Sequence, residues 1–351
     1  MTTNIRVLPW CLLITVCAGF IPAGAGAQSK VGTTAAQFLG IPVGPRAIAM
    51  GGAYVAANQD VSSIYWNPGA VVQSGRSEFS FVNTDWLVGT KFRWFGLVLN
   101  LDGDNAIGAS ITDMDYGQGD VTTVASPEGT GETWSAADLA ISLSYSRRLT
   151  DKFSIGGSVK YINQREYNET ASTVAFDAGL LYVTDLSGLR IGMSMSNFGG
   201  DMTLSGRDLL NRVDTDPNNS GSNKTLVAYL KTDAWPLPLL FRVGAAMDVV
   251  KNDEVTATVA VDALRPNDDF ESINLGGEVG WRNILFIRGG YQSIFKGGQA
   301  PLSSDKGQEG LALGAGLQYQ FEGFAALSFN YAFQKFGLFG NLNTIALSIG
   351  F

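Results

Sequence analysis

The side chains that could carry acid–base chemistry in this sequence are carboxylates, because the chain of 351 residues contains no histidine. The absence of histidine excludes Ser-His and Asp-His hydrolases and histidine metal ligands. Two carboxylate pairs remain, Asp113 with Asp115 and Asp214 with Asp216. Each pair lies near a strand end or in a polar loop, where solvation is the ordinary role of such residues. We therefore expect a protein that is not an enzyme.

Ligands for a metal or a cofactor are equally sparse. The two cysteines, Cys11 and Cys17, fall within the segment interpreted below as a removed leader. Gly51-Gly52 lacks the Lys-Ser/Thr that a phosphate loop requires. Four loop aspartates could hold calcium, although their spacing matches no calcium-binding motif. They are Asp201, Asp208, Asp214 and Asp216. The sequence predicts no metal and no cofactor.

The charge balance argues against a nucleic-acid partner. Lys and Arg number 24 against 32 Asp and Glu, a formal net charge of -8, so no basic excess exists to neutralise phosphates. Charged residues make up only 16% of the chain, below the ~25% of ordinary soluble domains. Glycine is abundant, with 43 residues. Both values depart from those of an ordinary soluble domain.

Residues 1–27 have the layout of a secretory signal peptide. Arg6 supplies a positive amino-terminal region, residues 12–21 form a short apolar core, and Ala25-Gly26-Ala27 fits the small-x-small cleavage rule. A transmembrane anchor is the alternative, which the short apolar run disfavours. No later stretch approaches ~18 consecutive apolar residues, so the exported chain is either soluble or crosses a membrane as a closed β-barrel.

A period of two dominates the sequence from residue 77 onwards. In residues 139–146, 311–321 and 344–351, apolar side chains alternate with small or weakly polar ones. The longest of these runs reaches the ~9–11 residues that a tilted strand needs to cross a bilayer. The second face lacks charges, which suits a narrow lumen better than the wet face of a soluble sandwich. Aromatic residues gather near the run ends, as in interfacial girdles, although aromatic residues also favour strands in general.

The alternating runs predict an all-β fold, in which residues 77–351 form a 14-stranded antiparallel transmembrane β-barrel. An even count places both barrel termini on one side, as single-chain bacterial barrels require. We expect short connections on the inner side and long ones on the outer side, with the link around Gly89 as the exception. Residues 225–230 also resemble a strand, which would make fifteen, so we assign them to an outer loop. The predicted strands are 77–88, 91–101, 105–116, 136–149, 153–166, 171–184, 189–199, 239–250, 254–264, 271–282, 284–293, 309–321, 324–335 and 341–351.

Residues 28–76 do not alternate and are interpreted as an N-terminal plug. Small residues dominate, and Arg46 is the only charge between Lys30 and Asp60. Such a segment is too apolar for a free linker and too rich in glycine for a strong helix. It fits compact turns buried in the lumen, because a wide barrel leaves interior space that side chains do not fill. The alternative is an outer strap or a small helix beneath the barrel.

Four stretches carry a family resemblance: residues 36–56, 64–70, 149–157 and 237–244. They resemble the PorV/PorQ family, which is part of the wider FadL-like superfamily of outer-membrane proteins. Asn67-Pro68-Gly69-Ala70 swaps the last two residues of the family's Asn-Pro-Ala-Gly motif and keeps small residues at both sites. The resemblance implies a fourteen-stranded barrel with an N-terminal plug. The candidate plug and gating residues are Pro42, Gly44, Arg46, Gly51, Gly52, Asn67 and Pro68.

The resemblance also implies partners. An accessory role in type IX secretion would use the outer loops to bind exported proteins or the translocon, and Phe351 resembles the signal read by the barrel assembly machinery. The secretion role and the assembly signal both imply that the barrel lies in the lipid of the outer membrane of a diderm bacterium. Within residues 200–238, apolar side chains beside acidic ones are the candidate contacts. They are Leu209, Leu210, Trp235 and Leu237. The alternative for these residues is contact with lipid or capping of the barrel mouth.

A second function is compatible with the same fold, namely FadL-like transport of hydrophobic small molecules such as long-chain fatty acids. A fatty-acid site would place a basic residue in an apolar pocket to hold the carboxylate. Arg46 is the candidate, and the alternative is a structural tie within the plug. The sequence leaves the choice between adaptor and transporter open.

Overall fold

The computed structural model describes residues 32–57, 60–186, 188–216, 218–219, 225–296, 310–321 and 325–351. The predicted signal peptide lies outside the described residues. Fourteen long strands run antiparallel to their neighbours. They are β1 (Glu78–Asp85), β2 (Lys91–Asn100), β3 (Asn105–Asp120), β4 (Thr133–Thr150), β5 (Phe153–Glu166), β6 (Glu169–Val183), β7 (Arg190–Gly199), β8 (Leu240–Lys251), β9 (Val255–Pro266), β10 (Ser272–Trp281), β11 (Leu285–Lys296), β12 (Leu311–Gln320), β13 (Ala326–Lys335) and β14 (Asn341–Gly350).

Pairing between the first and last strands closes the sheet. β1 and β14 run antiparallel from Glu78 opposite Gly350 to Asp85 opposite Asn343. Each of the remaining strands pairs with the strand before it and the strand after it in the sequence. This includes β7 and β8, which are separated by the long connection 200–239. The predicted 14-stranded antiparallel barrel is confirmed, and closure leaves no sheet edge around the ring.

The barrel wall has an apolar exterior. In β14 exposed and buried residues alternate over the whole strand. Ile345, Leu347 and Ile349 are between 41% and 46% exposed, whereas the small residues between them are buried. An apolar exterior is stable against acyl chains and costly against water. The apolar residues of the alternating pattern therefore face outward and the small ones face the lumen, as the sequence predicts.

The two ends of the barrel differ. The turn end carries both barrel termini and the short connections 101–104, 151–152, 184–189, 252–254, 282–284 and 321–325. The opposite end, the loop end, carries the long connections 121–132, 200–239 and 297–310. The expectation of uniformly long outer connections beyond Gly89 is wrong, because three further loop-end connections have at most five residues. They are 167–168, 267–271 and 336–340.

Strands at the loop end rise to different heights. β1 has 8 residues and β2 has 10, but β3 has 16 and β4 has 18. At about 3.3 Å per residue, β3 and β4 extend well beyond their neighbours β1 and β2. One side of the loop end is therefore a raised wall of strands, and the side formed by β13, β14, β1 and β2 is low.

Short strands also occur inside the long loop-end connection. Leu210–Val213 pairs with Leu226–Tyr229, which places the segment 225–230 in the loop as predicted. Ala234–Trp235 pairs with Met202–Thr203, and Ser205–Gly206 adds to the end of β6. Pairing with β7 resumes at Leu240, after Pro236 and Pro238.

The chain before β1 forms compact turns with little regular structure. It contains short 3-10 helices at Gln37–Gly40 and Pro68–Ser74, α1 at Pro45–Ala49 and α2 at Ser63–Trp66. No helix among the described residues has the length and apolar character needed to cross a membrane. Most side chains of this segment are buried, and they form apolar clusters together with residues of the barrel strands.

Candidate functional site

The N-terminal segment, residues 32–75, contacts strands on opposite sides of the ring. A Cβ atom at Gly290 in β11 would lie 2.2 Å from the carbonyl carbon of Met50. A Cβ atom at Gly156 in β5 would lie 2.3 Å from the carbonyl oxygen of Pro68. Glycine at these positions allows backbone to approach backbone. The segment therefore bridges two walls that are nearly opposite in the ring.

Asn67 is the centre of one of these contacts. Its side-chain amide donates to the carbonyl oxygens of Val55 and Leu180, both at 2.9 Å, and its Oδ1 accepts from the Gly69 amide at 3.0 Å. Asn67 is fully buried. One side chain thus joins two turns of the segment to β6, since Leu180 belongs to that strand.

Arg46 ties the other side of the segment to the wall. Its Nε and one terminal nitrogen donate to the two carboxylate oxygens of Glu278 in β10, at 2.8 and 2.7 Å. Arg288 in β11 donates to the same carboxylate. Burial by itself lowers the pKa of the Arg46 guanidinium, but Glu278, Tyr54 and Asp60 raise it above its ordinary value. Arg46 is therefore a structural tie between the segment and the wall. Its guanidinium is paired with Glu278 and does not lie alone in an apolar pocket.

The other predicted plug residues lie in the turns of the segment. Gly44 has a φ of 89° and precedes α1, and Gly51 has a φ of 63° at a point where a Cβ would lie 2.6 Å from the Tyr291 amide nitrogen. Gly52 faces the Asn274 side chain, and Pro42 is half-buried. Gly51 and Gly52 allow the chain to lie close against β10 and β11. Their predicted role in gating stays a prediction.

Two inward-facing charges that the sequence reasoning missed also hold the segment. Asp262 in β9 accepts from the backbone amides of Tyr54 and Val55, both at 2.7 Å. Arg242 in β8 lies over the rings of Tyr65 and Trp66, at 5.4 and 5.1 Å from their centroids. A charged residue within a predicted membrane-spanning strand is costly unless it is paired. That signal in the sequence would have indicated both positions.

A cavity of about 480 Å³ lies between the segment and the turn end. Each basic residue of its lining forms an ion pair with an acidic one, including Arg190 with Asp248 at 2.8 Å and Arg76 with Glu78 at 3.4 Å. The charged lining residues are Arg46, Arg76, Arg190, Lys251, Arg288, Asp60, Glu78, Asp248 and Glu278. The turn-end cavity is polar, and its five basic and four acidic side chains are joined in ion pairs.

On its loop side, the segment packs closely against strand β2. Phe38, Leu39 and Ile64 pack against Trp94 of β2, and the cavity between them measures about 20 Å³. The basic residue at this cavity, Lys160, is paired with Asp177 at 3.0 Å and donates to Asn197 at 2.7 Å. A space of this size holds about one water molecule. The segment leaves no room here for an acyl chain.

The four predicted loop contacts differ in accessibility. Leu210 and Trp235 are 40% and 47% exposed, Leu209 is half-buried, and Leu237 is buried at 3%. Leu237 belongs to the same apolar cluster as Phe38, and the neighbouring Pro236 accepts from the Ala35 amide at 2.9 Å. Leu237 therefore packs against the interior, while Leu210 and Trp235 face outward.

The remaining predicted residues lie in separate parts of the barrel. Asp113 and Asp115 share Arg93, at 2.7 and 3.4 Å. The backbone amide of Asp216 donates to the Asp214 carboxylate at 3.1 Å. In the described ranges, no three acidic residues are grouped as a metal site, and this includes the four loop aspartates. Phe351 is 58% exposed at the turn end, where its amide donates to the Ser77 carbonyl oxygen at 2.9 Å.

Solved structures with the same architecture include a hydrocarbon channel, a toluene transporter and a FadL homologue. The CymD monoaromatic hydrocarbon channel aligns with a TM-score of 0.53 at 15% identity, over 88% of this chain and 96% of that one. The Ralstonia pickettii toluene transporter TbuX gives 0.51 at 13% identity, over 88% and 97%. A Pseudomonas aeruginosa FadL homologue gives 0.51 at 12% identity, over 89% and 98%. At these identities the similarity establishes the fold alone.

Sequence comparison gives a narrower assignment. The curated proteins contain no match to the chain. The family described as type IX secretion system protein PorV matches residues 24–202, which cover the N-terminal segment and the first seven strands. This match spans more than half of the chain, and it includes Asn67 and Arg46, whose contacts join the segment to the wall. The protein belongs to the PorV family of type IX secretion system proteins.

Proposed function

We propose that this protein is a non-enzymatic outer-membrane accessory of type IX secretion, which binds the translocon or exported proteins through its loop end. The observation that carries the proposal is the PorV family match over residues 24–202. Function depends on sites more than on folds, and the loop end offers the accessible surface that such an accessory requires.

The proposed location rests on the barrel wall. Outward-facing Leu143, Leu313 and Leu347 are between 46% and 66% exposed. Such a wall requires a lipid environment, with the turn end towards the periplasm and the loop end outside. The exposed terminal Phe351 is available to the barrel assembly machinery during insertion, which we propose as a second partner.

The N-terminal segment acts as a plug in this proposal. Contacts at Gly156 and Gly290 fill the space between facing walls, and Arg46 and Asn67 fasten the segment on both sides. A polypeptide chain would not pass through such a lumen. Exported proteins would therefore meet this barrel at its loop end and not cross it.

Copurification tests the accessory role. The full-length protein carries an affinity tag in a connection of the turn end. It is crosslinked to its neighbours in the outer membrane of its own cells and then isolated. We expect a large translocon barrel or exported proteins as the principal partners, together with a loss of secretion when the gene is deleted. Isolation of the barrel alone, with secretion intact in the deletion strain, would contradict the proposal.

Transport of hydrophobic small molecules is the second candidate, and the architecture shared with CymD and TbuX favours it. The close packing of the segment against β2 counts against it, since passage through the barrel would require the segment to move. Uptake of a fluorescent fatty acid by liposomes containing the purified protein distinguishes the two. We expect uptake no faster than in protein-free liposomes, and uptake well above that background would favour the transporter.

A further inference from the structure

The raised wall of strands at the loop end encloses an open pocket of about 820 Å³. The upper parts of β3, β4 and β5 form it, together with the turn after β5 and Leu204. β2 stops at Lys91, opposite Asp115, so the last five residues of β3 have no neighbour on that side. The pocket is therefore accessible from above and from the low side of the rim.

Aromatic side chains are held in place around this pocket. The indole of Trp134 lies flat on Gly119, where a Cβ would be 2.8 Å from its Nε1, and Trp134 remains 41% exposed. The Tyr116 hydroxyl donates to Asp138 at 2.7 Å. Tyr167 occupies the two-residue turn after β5, and its hydroxyl donates to the Glu132 carboxylate at 3.5 Å. Fixed, partly exposed aromatic rings present faces of negative potential to a ligand.

Negative charge dominates the same wall. Residues 113–138, which include the loop-end part of β3 and the start of β4, contain six Asp or Glu residues and no Lys or Arg. Asp120 and Glu166 line the pocket, are exposed, and form no ion pair within the part of the chain that the structure describes. Arg165 is the basic residue of the lining, and it donates to Ser135 at 3.4 Å. The pocket therefore repels anions and has carboxylates available for a cation.

The floor of the pocket connects to the N-terminal segment. Gln164 donates to Asp138 at 3.1 Å and accepts from the Ala36 amide at 2.9 Å. The Asp138 carboxylate, buried at 3% exposure, thus receives hydrogen bonds from Tyr116 and Gln164. The hydrogen-bonded floor of the pocket thus lies beneath the exposed carboxylates of Asp120 and Glu166.

We propose that this pocket binds Lys or Arg side chains of an extended polypeptide segment of the secretion partner. The proposal rests on the accessory function proposed above and names the chemistry that the loop end recognises. A cation placed over Trp134 or Tyr116 gains from the ring faces, and Asp120 and Glu166 offer charge-assisted hydrogen bonds. An anionic segment lacks both gains, and a purely apolar one would leave the carboxylates without water or a partner.

Fluorescence anisotropy with the purified full-length protein in detergent tests the pocket. The probe is a short labelled peptide of alternating Lys and Ser, compared with matched peptides in which Glu or Gln replaces Lys. The variants are Asp120→Asn with Glu166→Gln, and Trp134→Ala. The control pair, Asp151→Asn with Asp253→Asn, removes the same charge from exposed residues of the turn end.

We expect saturable binding of the Lys peptide that weakens roughly tenfold in the Asp120/Glu166 pair and in Trp134→Ala, and that is unchanged in the control pair. Equal weakening by the control pair, equal binding of the Gln peptide, or no binding of the Lys peptide by the unaltered protein would each overturn the proposal.

Copurification from cells separates this proposal from the accessory function. If the Asp120/Glu166 pair still isolates the translocon or exported proteins as well as the unaltered protein does, the pocket is not their binding site and the accessory function stands. If the unaltered protein binds the Lys peptide but isolates no secretion partner, the pocket is a cation site and the accessory function is wrong.

Discussion

The turn-end cavity and the loop-end pocket both contain charged side chains, but they use them differently. In the turn-end cavity Glu278 accepts from Arg46 and Arg288, and Arg190 holds Asp248 at 2.8 Å. In the loop-end pocket Asp120 and Glu166 have no such partners among the described residues. One region joins the N-terminal segment to the wall, and the other has charges available to a second molecule.

This difference shows how to separate structural charges from binding charges in a barrel lumen. A charge removed from water is stable when a countercharge and hydrogen bonds compensate it, and these conditions hold around Glu278. A charge that remains in water needs no partner for stability, so selection for folding does not explain the one-sided acidity of the loop-end wall. The two regions should therefore respond oppositely to mutation.

Glu278→Gln should have the largest effect on stability. It leaves Arg46 and Arg288 side by side without the carboxylate that both contact, and removal of one partner from a buried ion pair costs about 3–5 kcal/mol. We expect the lower end of this range, because the Arg46 side chain remains 24% exposed. Urea unfolding in phospholipid vesicles, followed by tryptophan fluorescence, measures the loss. The control is Glu254→Gln, because the ion pair of Glu254 with Arg282 is exposed. An equal loss of unfolding free energy in the control would show that the Glu278 ion pairs are not special to the fold.

Gly290→Ala should destabilise by about 2–3 kcal/mol, because its methyl group would overlap the backbone at Met50 and Gly51. The adjacent Gly289→Ala is the matched control. Its methyl group would meet Leu313 at an ordinary 3.6 Å, so its cost should stay within about 0.5 kcal/mol. Limited proteolysis with mass spectrometry should detect cleavage within residues 32–75 in the first variant only. Protection in both would show that the segment does not depend on this contact.

The barrel could be predicted from the sequence because its signal is local. Alternation in residues 311–321 or 344–351 reflects one strand with two different faces, and the count of such runs gave the closed ring. The contacts of the N-terminal segment could not be predicted in this way. Gly156 and Gly290 look like any small lumen-facing residues, and their close approach to Pro68 and Met50 depends on parts of the chain far away in sequence.

The exact ends of the strands at the loop end were also beyond the sequence pattern. The turn at Tyr167 has a positive φ of 53° without a glycine. The sequence therefore does not indicate that only two residues connect β5 and β6. β3 continues past β2 through Tyr116-Gly117-Gln118-Gly119-Asp120, and Gly and Asp are residue types that favour turns over strands, so the predicted strand ended at residue 116. The loop-end pocket depends on that extension, so the predicted contacts centred instead on Leu210 and Trp235.

Asn67→Ala should cost about 1–2 kcal/mol, since it leaves the buried carbonyl oxygens of Val55 and Leu180 and the Gly69 amide without their partner. The segment should become sensitive to protease near residue 67, while the β-sheet circular dichroism remains unchanged. Asn341→Ala at the exposed start of β14 provides the control. A loss of sheet signal in Asn67→Ala would mean that the segment and the wall fold as one unit.

The Asp120→Asn/Glu166→Gln pair should have the smallest effect, within about 0.5 kcal/mol of the unaltered protein, because both side chains are exposed and form no ion pair with any residue that the structure describes. A slight gain is expected, since the substitutions reduce repulsion among like charges around Asp138. The same urea unfolding assay compares this pair with Glu278→Gln. A loss of several kcal/mol would assign the loop-end carboxylates to the fold, as at the turn end, and would remove the reason to regard them as a binding surface.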